Sequence, residues 1–201
     1  EANEGALKLA ARKTGRNRFM ATLNSFHGRT LGAMGCLGQE KYRGPWKGIV
    51  REAIFVPYGD ADAVKAALSK EIAAFIVEPV QGEGGVVVPP PDYLRRVADA
   101  CHAAGALLIA DEVQTCVGRT GRWLACDHTG TVPDILCLGK ALTGGALPLS
   151  ATIVTDKVYD AFRSIPGQDR RLYHGHTFCG APIPCAAALA ALKIFEQERV
   201  I

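Results

Sequence analysis

ALLIADEVQT, residues 106–115, and DILCLGKALTGG, residues 134–145, decide how this chain is read. Each holds an apolar run of strand length that ends abruptly in one charged side chain, Asp111 in the first and Lys140 twenty-nine residues later in the second. A near-continuous apolar run suits a strand covered on both faces of a parallel sheet, because neither row of side chains meets water. Parallel strands finish at the same edge, so a carboxylate and an amine that end two of them arrive side by side. A lysine at the mouth of a buried strand is expected to be desolvated, which favours its neutral, nucleophilic form.

Strand-length runs and helical patterns alternate on either side of these stretches. Residues 2–13 read as a helix that stops at Gly15, and residues 18–23 and 53–56 suit strands. Asp60 can cap a helix running to Leu68, and IAAFIVE (72–78) reads as a buried strand. PPPDYLRRVADACHAAG (89–105) reads as prolines, an N-cap at Asp92 and a helix closed by Gly105. LSATIVT (149–155) is a further strand, Asp156 starts a short helix, and CAAALAALKIFEQE (185–198) is a long alanine-rich helix. This alternation predicts an α/β fold of three layers: a mainly parallel sheet with helices on both faces, binding ligands outside the carboxyl ends of its strands.

Composition narrows the function classes. With 201 residues and 48% hydrophobic content, the chain is expected to bury the core of one ordinary domain. A net charge of +3, with cations dispersed among acids, gives no footprint for nucleic acid. No stretch reaches the roughly 18 apolar residues of a membrane span, and EANEGALKLAARK at the start is a charged amphipathic helix rather than a signal peptide. A cytoplasmic location is expected. The seven cysteines are odd in number and form no CxxC pair, which points to reduced apolar fillers rather than a disulfide framework or zinc site. His174 and His176 lack a third ligand at sensible spacing, so no metal site is expected. Glu1 opens on a helix without an initiator methionine and Ile201 follows directly on one, so a piece of a longer protein is expected.

A buried carboxylate facing an amine is what a carbonyl cofactor with a basic ring nitrogen requires, and that cofactor is pyridoxal phosphate. Asp111 would keep the ring nitrogen protonated, and Lys140 would form the Schiff base and then shuttle a proton as base and acid. Phe26, in SFHGRT, and Val113 suit the two faces of the ring, although Phe26 equally suits ordinary core. His27 joins the cofactor contacts, a structural hydrogen-bonding role being its alternative. Gln114 can reach the ring hydroxyl, and Thr177 offers a hydroxyl to phosphate or, alternatively, to its own turn. The glycines of EPVQGEGG allow a tight loop near the ligand.

EPVQGEGGVVVPPPDYLRRV (78–97), LLIADEVQTCVGRTG (107–121), PDILCLGKALTGG (133–145) and HGHTFCGAP (174–182), in this order, resemble the class III aminotransferases of fold type I. The resemblance spans essentially the whole chain. It implies that Lys140 is the Schiff-base lysine, Asp111 the pyridine-nitrogen partner, Phe26 and Val113 the ring sandwich, and Gln114 the residue near the ring oxygen. It further implies that Thr177 binds the phosphate of a neighbouring subunit's cofactor, so that a homodimer is the working unit, and that Glu78 helps to select the substrate. Residues 1–201 then correspond to the large cofactor-binding domain, without the N-terminal segment that carries the rest of a phosphate loop and without the C-terminal small domain. FHGRTLGAMG (26–35) and DEVQT resemble the acetylornithine, ornithine and 4-aminobutyrate group. ACDHTGTVPDILCLGKALTGG (125–145) and LPLSATIVT (147–155) instead resemble the biotin-pathway enzyme diaminopelargonate aminotransferase. Cys116 stands where the family commonly has glycine, and Ala181 where it has asparagine. The implied reaction is ping-pong transfer of an amino group, on a terminal carbon, between an amine or amino acid donor and a keto acid acceptor. The diaminopelargonate reaction, and a cofactor-binding, dimer-forming remnant without turnover, are the alternatives.

Overall fold

The computed structural model describes residues 1–201. Its elements are α1 (Ala2–Thr14), β1 (Arg18–Thr22), α2 (Leu31–Gly35), α3 (Glu40–Arg43), β2 (Ile54–Val56), α4 (Ala61–Ala67), β3 (Ile72–Val77), α5 (Tyr93–Ala104), β4 (Leu107–Asp111), β5 (Ile135–Leu138), β6 (Ala151–Val154), α6 (Asp156–Tyr159) and α7 (Pro182–Gln197). The strands form one sheet in the order β2-β1-β3-β4-β5-β6. All pairings are parallel except β5 with β6, which runs antiparallel at the edge. The three-layer, mainly parallel α/β fold expected from the alternation is the one observed.

Both faces of the central strands are covered, which is why they read as unbroken apolar runs. All six residues of β3 and all five of β4 are buried. Phe75, Val77, Leu108 and Ala110 pack with Val64 of α4 and Leu94, Val97 and Cys101 of α5. Ala74, Ile76, Leu107, Ile109, Ile135 and Cys137 meet Ala6 and Ala10 of α1 and Val158 of α6 on the other face. Each fully buried Phe, Ile or Leu side chain is stabilising by about 1.5–3 kcal/mol. Along β4, Leu107 and Ile109 face α1, so the period-2 alternation sends the next odd residue, Asp111, to the α1 side as well.

Several boundaries differ from the sequence reading, each for a local reason. The Asp60 side chain caps α4 as expected, accepting from the amides of Asp62 and Ala63. Asp92 holds the N-cap position of α5, but its carboxylate accepts no backbone amide. Its backbone is helical (φ −92°, ψ −6°) rather than extended, and an extended backbone is what lets a capping side chain reach N2 or N3. It lies 3.7 Å from Arg96 instead. The strand read over 149–155 shrinks to Ala151–Val154 just after Pro148, which has no N–H for a ladder. The alanine-rich helix starts three residues earlier, at Pro182, because proline is pre-set for the first helical turn. Helices α2 and α3, of five and four residues, are too short to leave a period in the sequence.

Five of the seven cysteines are buried, and burial pushes the Cys36 and Cys101 thiols up to about 12. No helix is long and apolar enough to cross a membrane.

Candidate active site

The end of β4 presents two adjacent carboxylates, and the pleat sends them to different tasks. Asp111, 4% exposed, receives three donors. Its Oδ2 accepts from Asn3 Nδ2 at 2.6 Å and from His27 Nδ1 at 2.8 Å, and its Oδ1 accepts from the Val113 amide at 3.1 Å. Glu112, fully buried, accepts from Thr115 Oγ1 at 2.6 Å and from the amides of Ala125 and Cys126 at 2.8 Å. Glu112 therefore pins the long loop that follows β4, while Asp111 faces the α1 side.

Lys140 lies two residues past β5, at the start of a short 3-10 turn that Gly144 closes. Its φ of 43° lies in the left-handed region, which is uncommon outside glycine and recurs at functional sites. The amine donates to Gln114 Oε1 at 3.2 Å. Lys140 is exposed, contrary to the desolvated amine expected at a strand mouth. The turn carries its side chain past the buried Leu138 and Gly139 into the open. Gln114 engages this amine through its Oε1. A Cβ on Gly139 would meet Val113 Cγ1 at 3.1 Å, and one on Gly82 would come within 2.2 Å of the Gln114 amide, so both glycines permit close approaches at this edge.

Glu78 follows β3 on the same edge. Its Oε1 accepts from the Phe26 amide at 2.9 Å and its Oε2 from the Gly82 amide at 3.0 Å, which ties two loops to the strand end. Burial pushes its carboxyl up, partly offset by His27 and by those two amides. Phe26, half-buried, packs on Met34, Leu37 and Val50 and meets the Tyr42 ring edge-on with centroids 5.7 Å apart. Phe26 is core on one side and pocket wall on the other. His27 has a fully buried side chain whose Nε2 has no partner.

Phe26, His27, Glu78, Asp111, Val113, Gln114 and Lys140 line one pocket of about 180 Å³. Seven of the eight residues singled out from sequence are thus brought together. Thr177 is not, because it sits in an exposed loop before α7, away from this pocket. The sequence reading missed Asn3, which lines the pocket and holds Asp111. Its signal was legible: Asn3 is polar, yet Ala6, Leu7 and Ala10 follow at i+3, i+4 and i+7 on the buried stripe of α1. Glu1 and Ala2, at the N-terminal end of α1, line the pocket as well.

The description "Aminotransferase class-III" belongs to the family model that matches residues 1–201. This chain belongs to the class III aminotransferases. The family is dependent on pyridoxal phosphate. The chain is 45% identical over 200 residues to an acetylornithine aminotransferase of Methanopyrus kandleri, matching all of this chain and 49% of that protein. Its fold matches adenosylmethionine-8-amino-7-oxononanoate aminotransferase from Methanocaldococcus jannaschii with a TM-score of 0.92 and 38% identity, over 99% of this chain and 50% of that one. It also matches a PLP-bound amine transaminase from an uncultivated Pseudomonas species, with a TM-score of 0.91 and 36% identity over 98% of this chain and 51% of that one. The class III chain therefore spans about half the length of the relatives it matches.

Proposed function

We propose that this chain is the large cofactor-binding domain of a pyridoxal-phosphate-dependent transaminase, moving a terminal amino group between an amine or amino acid donor and a keto acid acceptor. One observation carries this reading: a buried carboxylate at the end of β4 and a lysine amine just past β5 line the same pocket.

The pocket fits the cofactor in two respects. An ionised carboxylate offers about four acceptor sites, and the three donors on Asp111 leave one for a protonated ring nitrogen. Phe26 and Val113 supply apolar walls suited to a flat ring. When bound, the cofactor supplies a carbonyl carbon that exchanges amino groups and a ring that accepts the electron pair left by a departing C–H proton.

The chain's residues divide the remaining work. Lys140 Nζ would hold the cofactor's carbonyl carbon and, when a donor amine takes its place there, would be the base that removes the proton from the donor's carbon and the acid that returns it on the other side of the nitrogen. Gln114 Oε1 orients Nζ through their 3.2 Å contact. Asp111 would supply the negative charge that keeps the ring nitrogen protonated. Glu78 fixes the backbone of Phe26 and contributes to the choice of substrate. The exposure of Thr177 supports its service to a partner subunit's phosphate, which makes a homodimer the working unit, and a cytoplasmic location accompanies this reading. The acetylornithine aminotransferases at 45% and 46% identity support a donor of that type over the diaminopelargonate reaction of the 38%-identical structure. The presence of both Lys140 and Asp111 in the pocket argues for retained turnover over a remnant.

The test uses the full-length protein. Bound-cofactor absorbance is expected to change on adding N-acetylornithine and to return with 2-oxoglutarate, with one amino group transferred per cycle. A Lys140→Ala variant that still cycles would overturn the reading, as would product analysis that finds carbon dioxide release in place of amino transfer.

A further inference from the structure

One buried polar contact in the pocket comes from a residue to which the sequence reading gave no role. Asn3, in the first turn of α1, is 5% exposed and directs both hydrogens of its amide inward. Nδ2 donates to Asp111 Oδ2 at 2.6 Å and to the backbone carbonyl of His27 at 2.8 Å. Its Oδ1 is buried without a partner. A flipped amide would set that oxygen against a carboxylate and a carbonyl, two acceptors with no proton between them, so the surroundings themselves define the orientation. An apolar side chain of similar size would spare the fold an orphaned acceptor. The retention of an amide here is therefore explained by what its two N–H bonds hold.

We infer that Asn3 is a positioning residue for Asp111: with His27, it saturates Oδ2, fixes the carboxylate plane and leaves the single open acceptor site on Oδ1. The inference rests on the cofactor reading above. Three independent segments meet at this carboxylate, namely α1 through Asn3, the loop after β1 through His27 and the strand end through the Val113 amide. Oδ2 already accepts the Asn3 N–H, and its 2.8 Å contact with His27 is a second bond to the same oxygen when Nδ1 carries the imidazole proton. Asn3 also ties the His27 backbone to the same oxygen, so it aligns the imidazole as well as the acid. A donor without a titratable proton gives Asp111 one contact that pH does not alter.

The test is a double-mutant cycle on the full-length holoenzyme. Asn3→Leu, and Asn3→Ser as a smaller change should leucine not fold, are each combined with Asp111→Asn. Cofactor dissociation constants are measured by titrating the apo-enzyme, and the visible absorbance of the bound cofactor is followed against pH. A hydrogen bond to a charged group accounts for roughly a tenfold change in affinity. Asn3→Leu is expected to weaken the cofactor about tenfold and to move the pH midpoint of its absorbance, with Asn3→Ser in between. Neither change is expected to add to the loss caused by Asp111→Asn. Full additivity, or an unmoved absorbance midpoint with unchanged affinity, overturns the positioning role. If Asp111→Asn itself leaves affinity and turnover unchanged, it is the cofactor reading that falls.

Discussion

Strand β3 and helix α7 are both apolar sequences, yet one is buried at every residue and the other at only Ala188. Strand β3 lies between two layers of helices, so each of its side-chain rows has a partner. Helix α7 rests one narrow stripe on Cys116, Val117, Leu138 and Leu142 and leaves Ile183 72% and Leu189 70% exposed. A helix apolar all round is normally covered. The contrast teaches that pattern sets which surface seeks burial, whereas the elements that follow in the chain or in a partner decide whether it is met. The site obeys the same division: seven candidate residues lie at or just past the ends of sheet strands, and the one that stays apart, Thr177, precedes α7.

The sharpest break in this comparison comes from chemistry at its two ends. In the full-length protein, Lys140→Ala is expected to reduce turnover by about 10²–10⁴-fold or more. Thr177→Ala is expected to weaken cofactor binding only about tenfold to a hundredfold, as measured by titration of the apo-enzyme. Equal losses would erase the distinction between the covered edge and the exposed loop.

Packing gives the next test. Phe75→Ala, in the middle of β3, is expected to lower the unfolding free energy by about 3–5 kcal/mol in denaturant titrations. Leu189→Ala is expected to change it by no more than about 0.5 kcal/mol if the outer face of α7 meets only water. A loss above about 1 kcal/mol at Leu189 in the full-length protein would mean that another surface covers this helix.

A smaller effect separates the buried acid of the pocket from its surroundings. Burial raises the folded-state pKa of Glu78 above its ordinary value, so folding favours the protonated form. Its contribution to stability therefore grows as pH falls through the raised value and is complete below the ordinary one, about 4.3. Melting temperatures of wild type and Glu78→Gln across pH 4–8 check this, with the variant expected to lose that component of the slope. The smallest effect lies in thiol access: in the native protein at pH 8, Cys179 and Cys185 are expected to react with a disulfide reagent far faster than the five buried cysteines. Fast labelling of Cys36 or Cys137 would mean that the central sheet opens.

How much of this was legible follows from the range of each signal. The runs ending in Asp111 and Lys140 announced two strands and their shared edge, because burial on both faces writes an unbroken apolar stretch into the chain. Gly15 and Gly105 marked helix ends for an equally local reason: both adopt the left-handed cap conformation. Asp92 misled because a capping residue type says nothing of the backbone angle that lets it cap. Lys140 misled on burial because desolvation depends on what lies over a strand end, and no strand encodes its own cover. Asn3 went unremarked because its meaning depends on Asp111, 108 residues away.

The sequence by itself determined the alternation of elements and that an acid and an amine, Asp111 and Lys140, stand at the same edge of the sheet. Local periodicity and terminal residues carry those facts. Only the tertiary structure decided that Asn3 and His27 converge on one oxygen of Asp111, that Glu112 turns away to hold a loop, and that the Lys140 amine lies in the open against Gln114. These are distances between segments far apart in the chain, and they exist only once the sheet has brought its strand ends together.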